Sequence, residues 1–228
     1  MSDAPSAFDT YAGVYDKWFE SAEGRMLFAT EVGAIRPLMM NLEHPFLEIG
    51  VGTGRFAKEL GIDEGIDPSE QAVSFARKRG VKAQRATGED VPYADASFGA
   101  VFILFTLCFV ESPAKVLSEA VRVIKPGGSV IVGIINRSSA WGSLYQQKKI
   151  EGHPIYRHAS FYNAAELSAM LKTAGLHAEA ATSVLFQLPA SMPYREEALP
   201  GISEDAGFLC LLAKSEKNYR QMPGREEL

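Results

Sequence analysis

The stretch "PFLEIGVGTGRFAKEL" sets three alternate glycines, Gly50, Gly52 and Gly54, directly behind a short apolar run and ahead of a helical pattern. A strand that turns at once into a helix, with side chains removed at the turn, commits the chain to a strand–loop–helix unit whose loop lies close to something. The rest of the sequence repeats this alternation. Residues 11–40 carry helical stretches, with apolar positions at Met26, Leu27, Ala29, Val32, Ile35 and Leu38. A strand is expected at 45–49, then a short helix from Gly54 closed by Gly61. "GIDEGID" supplies a second strand ending near Asp67. Pro68 suits the first turn of a helix running to Arg79, and Gly80 suits its C′ position. "VKAQRA" reads as a third, partly exposed strand, and 99–105 as a fourth, apolar on both faces as a parallel strand requires.

Ser112 and Pro113 open a helix with an apolar stripe at Val116, Leu117, Ala120, Val123 and Ile124, which "KPGG" stops. "GSVIVGII" is a fifth strand. Asn163 and Glu166 form a capping-box pattern for a helix that Gly175 closes. "ATSVLFQL" and "GFLCLLAK" follow as two strands without a helix between them, so they are expected to run antiparallel. Repeated strand–helix units with short connections predict an α/β fold, a doubly wound, mostly parallel sheet with helices on both faces and an antiparallel C-terminal strand. Ligands of such sheets bind at the carboxyl ends of the strands, beside the first strand, where the glycines lie.

The chain of 228 residues is sized for one domain, and 46% hydrophobic with 22% charged residues is the balance of a soluble globular protein. A net charge of −5 without a lysine-arginine block argues against a face for nucleic acid. The start "MSDAPSAFDT" has neither a basic nor an apolar segment, so no secretory signal is expected. No apolar run approaches about 18 residues, so no membrane span is expected either. Cys108 and Cys210 sit in apolar runs and read as buried free thiols in a reducing cytoplasm. The polar end "KNYRQMPGREEL" reads as frayed.

The loop chemistry narrows the ligand. A phosphate-binding Walker loop needs Gly-x-x-x-x-Gly-Lys-Ser/Thr, and here the second glycine comes one residue early, followed by Arg55 and Phe56. A dinucleotide loop needs Gly-x-Gly-x-x-Gly, and position 55 is arginine. Glu48, at the strand end, would repel a pyrophosphate and attract an ammonium group. Asp67 closes the second strand, where a carboxylate can accept hydrogen bonds from both hydroxyls of a ribose. The turn "ATGEDVPY" places Gly88, Glu89 and Asp90 to edge an adenine ring. These residues fit a cationic, phosphate-free nucleoside ligand.

Four ordered segments, "LEIGVGTGRF", "GIDPSEQAV", "GEDVPYADASFGAVF" and "EAVRVIKPGGSVIVGI", together resemble the class I S-adenosylmethionine-dependent methyltransferases. They look most like the small-molecule branch that includes the quinone-biosynthesis enzymes. The resemblance runs over about 45–135 and implies a Rossmann-like fold with S-adenosylmethionine as cofactor and S-adenosylhomocysteine as product. It implies that Glu48, Gly50, Gly52, Thr53 and Gly54 hold the methionine portion, while Asp67 binds the ribose. Pro68 and Ser69 would line the adenine, with Gly88 and Glu89 at its other edge. Phe105 and Thr106 would lie near the reactive methyl. Thr87 and Gly88 depart from the family's more usual Asp-Ala at that turn.

In similar enzymes the N-terminal segment folds over the cofactor, which points to Tyr11, Tyr15, Trp18 and Phe19, with Tyr15 beside the cofactor. Residues 139–162 are expected to form an extended loop at the acceptor side, with Tyr145, His153, Tyr156, Arg157 and His158 as candidates. Of these, Tyr145, Tyr156 and His158, with Trp18, are the expected substrate contacts. His44 and His177 are expected to be structural. No nucleic-acid methyltransferase motif follows the fourth strand, and no metal site is apparent. The expected activity is transfer of a methyl group to a small organic acceptor by in-line displacement, without an assigned catalytic residue. The alternatives are a catalytically silent domain of the same fold and an NAD-dependent oxidoreductase. One domain is expected over 1–228: an N-terminal cap (1–43), a cofactor core (44–136), an acceptor loop (137–162), a C-terminal helix and strand pair (163–214) and a tail (215–228). The expected assembly is a monomer or homodimer.

Overall fold

The computed structural model describes residues 7–189 and 192–215. The expected frayed end, "KNYRQMPGREEL", lies outside the described residues. One sheet of eight strands runs in the order β3-β2-β1-β4-β5-β8-β6-β7. Its members are β1 (Phe46–Ile49), β2 (Glu64–Asp67), β3 (Lys82–Arg85), β4 (Phe98–Leu104), β5 (Ile124–Ile135), β6 (Leu176–Val184), β7 (Leu199–Pro200) and β8 (Phe208–Ser215). The first five are parallel, and β8 enters antiparallel between β5 and β6. The chain steps outward from β1 to β3 and returns on the other side at β4, so the switch in direction falls between β1 and β4.

Strand alternation sends β1 and β4 side chains into two cores. Phe46, Ala100, Phe102 and Leu104 pack on one face against α2 (Ala22–Ile35), α3 (Arg55–Leu60) and α4 (Glu70–Lys78). Leu47, Ile49, Val101 and Ile103 pack on the other against α5 (Pro113–Val123) and α7 (Ala164–Thr173). Glu48 shares its parity with Phe46 and therefore points to the α2–α3–α4 side. The helix signals hold: Ser112 caps α5, and Asn163 with Glu166 forms the capping box of α7.

Three expectations are corrected. Residues 139–162 are not an extended loop: they contain α6 (Ala140–Ile150) and a 3-10 turn, Tyr156–His158. Ser139 caps α6 by accepting from the Gly142 N–H at 3.0 Å, and only Trp141 and Gly142 of the helix are buried. With so thin an apolar stripe, the periodicity is invisible. β6 starts at Leu176 rather than 181, because His177–Ala180 are exposed and break the alternation. Pro68 precedes the cap of α4 rather than opening its first turn, since Ser69 is the N-cap. A remaining helix, α1 (Ala7–Trp18), lies across the glycine loop and packs on α4.

Candidate active site

The three glycines have different causes. A Cβ at Gly50 would strike the Thr106 side chain at 2.2 Å, and one at Gly54 would strike Ala76 of α4 at 2.8 Å. At these two positions the protein's own chain makes the close approach. Gly52 is the exception: its φ is +51°, and an added Cβ would meet nothing within 4 Å. Its N–H donates to Asp67 Oδ2 at 3.0 Å. The loop itself is fixed by the Gly50 and Val51 N–H groups, both donating to the Ile66 carbonyl (2.8 and 2.9 Å). Gly52 is thus the glycine with open space in front of it.

Glu48 is 2% exposed, and its Oε2 has no hydrogen-bond partner. Burial, and then the nearby Asp67 charge, hold its carboxyl well above the usual range, against a hydrogen bond from the Ala57 N–H. A buried carboxyl with an unpaired oxygen favours a cationic partner. Asp67 Oδ1 accepts from the Ser69 N–H at 2.9 Å. Each Asp67 oxygen takes one backbone donor and keeps lone pairs for others. Burial raises this carboxyl to about 6, against the hydrogen bonds from Ser69 and Gly52, and Asp9 on α1 adds to the rise.

Above this floor lies α1. Asp16, a residue the sequence reading did not single out, is its anchor. Its carboxylate accepts from Thr53 Oγ1 (2.7 Å), Arg55 Nε (2.8 Å) and Arg79 Nη2 (2.7 Å). Arg79 also donates to the Thr53 carbonyl, and Arg55 to the Asp16 carbonyl and to Glu20. Burial alone would raise the Asp16 carboxyl, but these donors outweigh it and bring it from 3.8 to about 2. The arginine that replaces a third loop glycine is therefore a clamp between loop and cap. Tyr15 of α1 and Phe19, just past its end, line with Glu48, Phe56 and Phe105 a half-open cavity of about 60 Å³. Small-molecule clefts run to roughly 300–1,000 Å³. The rings of Tyr15, Phe19, Phe56 and Phe105 crowd this end of the site.

Glu48, Gly50, Gly52, Thr53, Phe105 and Tyr15 meet around that cavity. Thr106 packs on Gly50 and donates to the Leu104 carbonyl at 2.9 Å. The Ser69 hydroxyl is fully buried and accepts from the Ala72 N–H, so it caps α4 instead of facing a ligand. Pro68 is exposed beside Asp67, and its carbonyl takes Arg85 Nε. Gly88 is buried against Ile49 and Val116, while Glu89 Oε1 accepts from the Glu111 and Ser112 N–H groups. Their first visible role is to tie the turn after β3 to α5.

Of the expected substrate contacts, Tyr145 and Tyr156 pack edge-on at 4.8 Å. Trp18 packs on Phe19 but is 37% exposed, and His158 is exposed. These two are not brought to the cleft. His44 pairs with Asp63 at 2.6 Å, as a structural histidine. Cys210 is buried, but Cys108 is only half-buried, which corrects the expectation of a core thiol. Burial pushes the Cys108 thiol up to about 12, which leaves it protonated and unreactive at neutral pH.

A glycine loop over a buried carboxyl, with a second carboxyl closing the next strand, defines a nucleoside amino-acid site on a doubly wound sheet. The family described as "Methyltransferase domain" matches residues 47–132. An uncharacterized protein of Mycobacterium tuberculosis is 45% identical over 211 residues, covering 92% of this chain and 74% of that protein. The ubiquinone biosynthesis O-methyltransferase of Thiobacillus denitrificans is 31% identical over 169 residues, covering 67% of this chain and 72% of the enzyme. A crystal structure from Thermotoga maritima, described as a SAM-dependent methyltransferase and possible histamine N-methyltransferase, superposes with a TM-score of 0.85. It is 34% identical, and the match covers 92% of this chain and 98% of that one. The chain belongs to the class I S-adenosylmethionine-dependent methyltransferases, in the branch that includes the quinone-biosynthesis enzymes. It is an enzyme of that family and uses S-adenosylmethionine. No helix among the described residues is long and apolar enough to cross a membrane.

The residues present fit the cofactor. The unpaired Glu48 oxygen suits its ammonium group, the open side of Gly52 admits the ligand's approach, and Asp67 suits a diol.

Proposed function

We propose that the enzyme moves a methyl group to a small organic acceptor by in-line displacement. The observation that carries this reading is the aromatic cluster of Phe109, Tyr145, Tyr156 and Phe161, whose rings pack on one another at 4.8–6.4 Å. Glu48 and the Gly52 backbone hold the amino-acid end of the cofactor, and Asp67 the ribose. Pro68 and Ser69 form the adenine side through their backbone, with Gly88 and Glu89 at the opposite edge. Residues 1–43 act as the cap, 44–136 as the cofactor core and 137–162 as the acceptor wall, with 163–214 completing the single domain. Bound S-adenosylmethionine supplies an electrophilic methyl on a sulfonium. The protein's share is alignment and exclusion of water, and such positioning contributes roughly 7–11 kcal/mol. The Phe19 ring already carries the Arg55 guanidinium, 5.2 Å from its centroid, which leaves Tyr15 as the aromatic side chain for the sulfonium, at about 0.5–2 kcal/mol per good contact.

A thermal-shift series tests the assignment. S-adenosylmethionine and S-adenosylhomocysteine are expected to raise Tm, and NAD to leave it unchanged. Stabilisation by NAD alone would refute the reading.

A further inference from the structure

One carboxylate takes no part in the site described above. Glu31 stands on α2 four residues after Leu27 and four before Ile35, both buried, so it falls on the inward stripe of the helix. One turn earlier, Phe28 packs on Phe19 and Phe56 at 5.6 and 4.9 Å, and Phe56 packs on Phe105 at 5.4 Å. Glu31 therefore lies on the wall that ends at the head of β4. It makes no hydrogen bond or ion pair with any described residue. Its charge is felt by three tyrosines from three other elements: Tyr15 of α1, Tyr145 of α6 and Tyr156 of the 3-10 turn. All four side chains are half-buried and keep part of their surface accessible. Tyr15 also lines the cofactor cavity.

We propose that Glu31, ringed by Tyr15, Tyr145 and Tyr156, is the acceptor-binding carboxylate and that the acceptor is a primary or secondary amine bound as its ammonium ion. The proposal rests on the methyltransferase reading above. A carboxylate inside protein without a basic partner awaits a positive charge, and tyrosine faces add cation–π attraction to it. Lys148 does not fill that place: its Nζ lies over the Tyr145 and Tyr156 rings, 4.9 and 5.9 Å from their centroids.

The chemistry follows from the placement. Glu31 takes a proton from the bound ammonium, so that an N–H bond breaks, an O–H bond forms and the nitrogen regains its lone pair. The nitrogen then bonds to the methyl carbon as the carbon–sulfur bond breaks and its electron pair returns to sulfur. The methylated product is an ammonium ion, and S-adenosylhomocysteine is the second product. Burial alone holds the Glu31 carboxyl at about 8. Below that pH, binding an ammonium must expel the carboxyl proton, so affinity climbs up to tenfold per pH unit from 6 to 8 and then levels. Neither the three tyrosines nor Cys108 titrates there. All three tyrosines are raised above their ordinary value, first by burial, and the Cys108 thiol is pushed up to about 12. His153, packed on Tyr156, is lowered by burial and by Lys148.

Calorimetry on the full-length protein saturated with S-adenosylhomocysteine tests this. Phenethylamine is compared with 2-phenylethanol, and n-butylamine with 1-butanol. At least one amine is expected to bind ten or more times tighter than its alcohol. Its affinity is expected to rise from pH 6 to 8, and Glu31→Gln to remove the preference while S-adenosylhomocysteine affinity stays within twofold. Equal binding of amine and alcohol, no binding by either amine, or an unchanged preference in Glu31→Gln overturns the proposal. If Glu31→Gln does not fold, a flat pH profile in the unmodified protein overturns it alone. Failure of S-adenosylhomocysteine to bind would instead sink the methyltransferase reading.

Discussion

Replacing Asp16 by alanine should free the cap while leaving the sheet folded. The carboxylate gathers Thr53, Arg55 and Arg79, which come from the glycine loop, α3 and the end of α4. A depression from 3.8 to about 2 converts to roughly 2 kcal/mol in favour of the charged, docked form. Removing one partner of a buried ion pair costs about 3–5 kcal/mol. Here Arg55 and Arg79 keep 16% and 24% of their side-chain surface exposed, so water reaches both guanidinium groups once the acid is gone. The lower figure, about 2 kcal/mol, is the better guide, and it equals roughly a 30-fold change in an equilibrium constant.

That loss falls on the docking of α1 and not on global stability. α1 contributes no strand, and its packing is chiefly on α4, so it can open as a unit. Hydrogen exchange read by mass spectrometry should show amides of 10–18 exchanging about 30-fold faster in Asp16→Ala, with β4 and β5 unchanged. Release of S-adenosylhomocysteine should quicken in parallel. Exchange in 10–18 within threefold of the unmodified protein would refute the clamp, and so would equal loosening of the whole sheet.

Three further outcomes follow from the same geometry. Asp67→Ala should weaken S-adenosylmethionine binding more than tenfold, since hydrogen bonds to a charged acceptor contribute about 1.5–3 kcal/mol each; unchanged affinity in calorimetry would remove the ribose role. Gly52→Val should abolish cofactor binding with the fold intact, because the added side chain meets only open space and the positive φ costs roughly 1–2 kcal/mol; full occupancy in that variant would mean that no ligand approaches the backbone there. Because the Asp16 carboxyl is depressed below its unfolded value, its contribution is complete above about pH 4 and disappears as pH falls toward 2. Exchange in 10–18 should therefore rise through that acid window in the unmodified protein and stay flat in Asp16→Asn.

How far the sequence spoke depended on whether a cause was local. Gly52, Glu48 and Asp67 could be read because each sits at a fixed offset from a strand end, and the strands of this sheet announce themselves by apolar runs. α6 could not, since its inward face is little more than Trp141 and Gly142. Nor could the work of Arg55, whose partner Asp16 lies 39 residues away. Arg55 was legible only as the residue that spoils a dinucleotide motif. Glu31 did leave a trace, as the one acid set between Leu27 and Ile35 on an apolar stripe, but an isolated acid there acquires meaning only once Tyr145 and Tyr156 are folded against it. Gly50 and Gly54 carry the opposite lesson. Their absent side chains suggested a ligand, whereas Thr106 and Ala76 occupy that space.

On the proposed reading the cofactor and acceptor sites share a wall, and that sharing limits how the enzyme can work. Tyr15 lines the cofactor cavity, feels the charges of Tyr156 and Glu31, and is the immediate neighbour of Asp16. A helix that carries both residues cannot leave the glycine loop without withdrawing Tyr15 from the acceptor side. The Asp16 clamp ties α1 to the glycine loop, so on this reading α1 moves as the cofactor is loaded, and the acceptor wall moves with it. Cofactor entry with α1 open, then closure, then acceptor capture is the order that this arrangement permits. In Asp16→Ala the acceptor KM should therefore rise along with the rate of S-adenosylhomocysteine release, although Asp16 itself reaches no part of the acceptor cleft. An acceptor KM that stays fixed while release quickens would separate the two clefts and remove Tyr15 as their link.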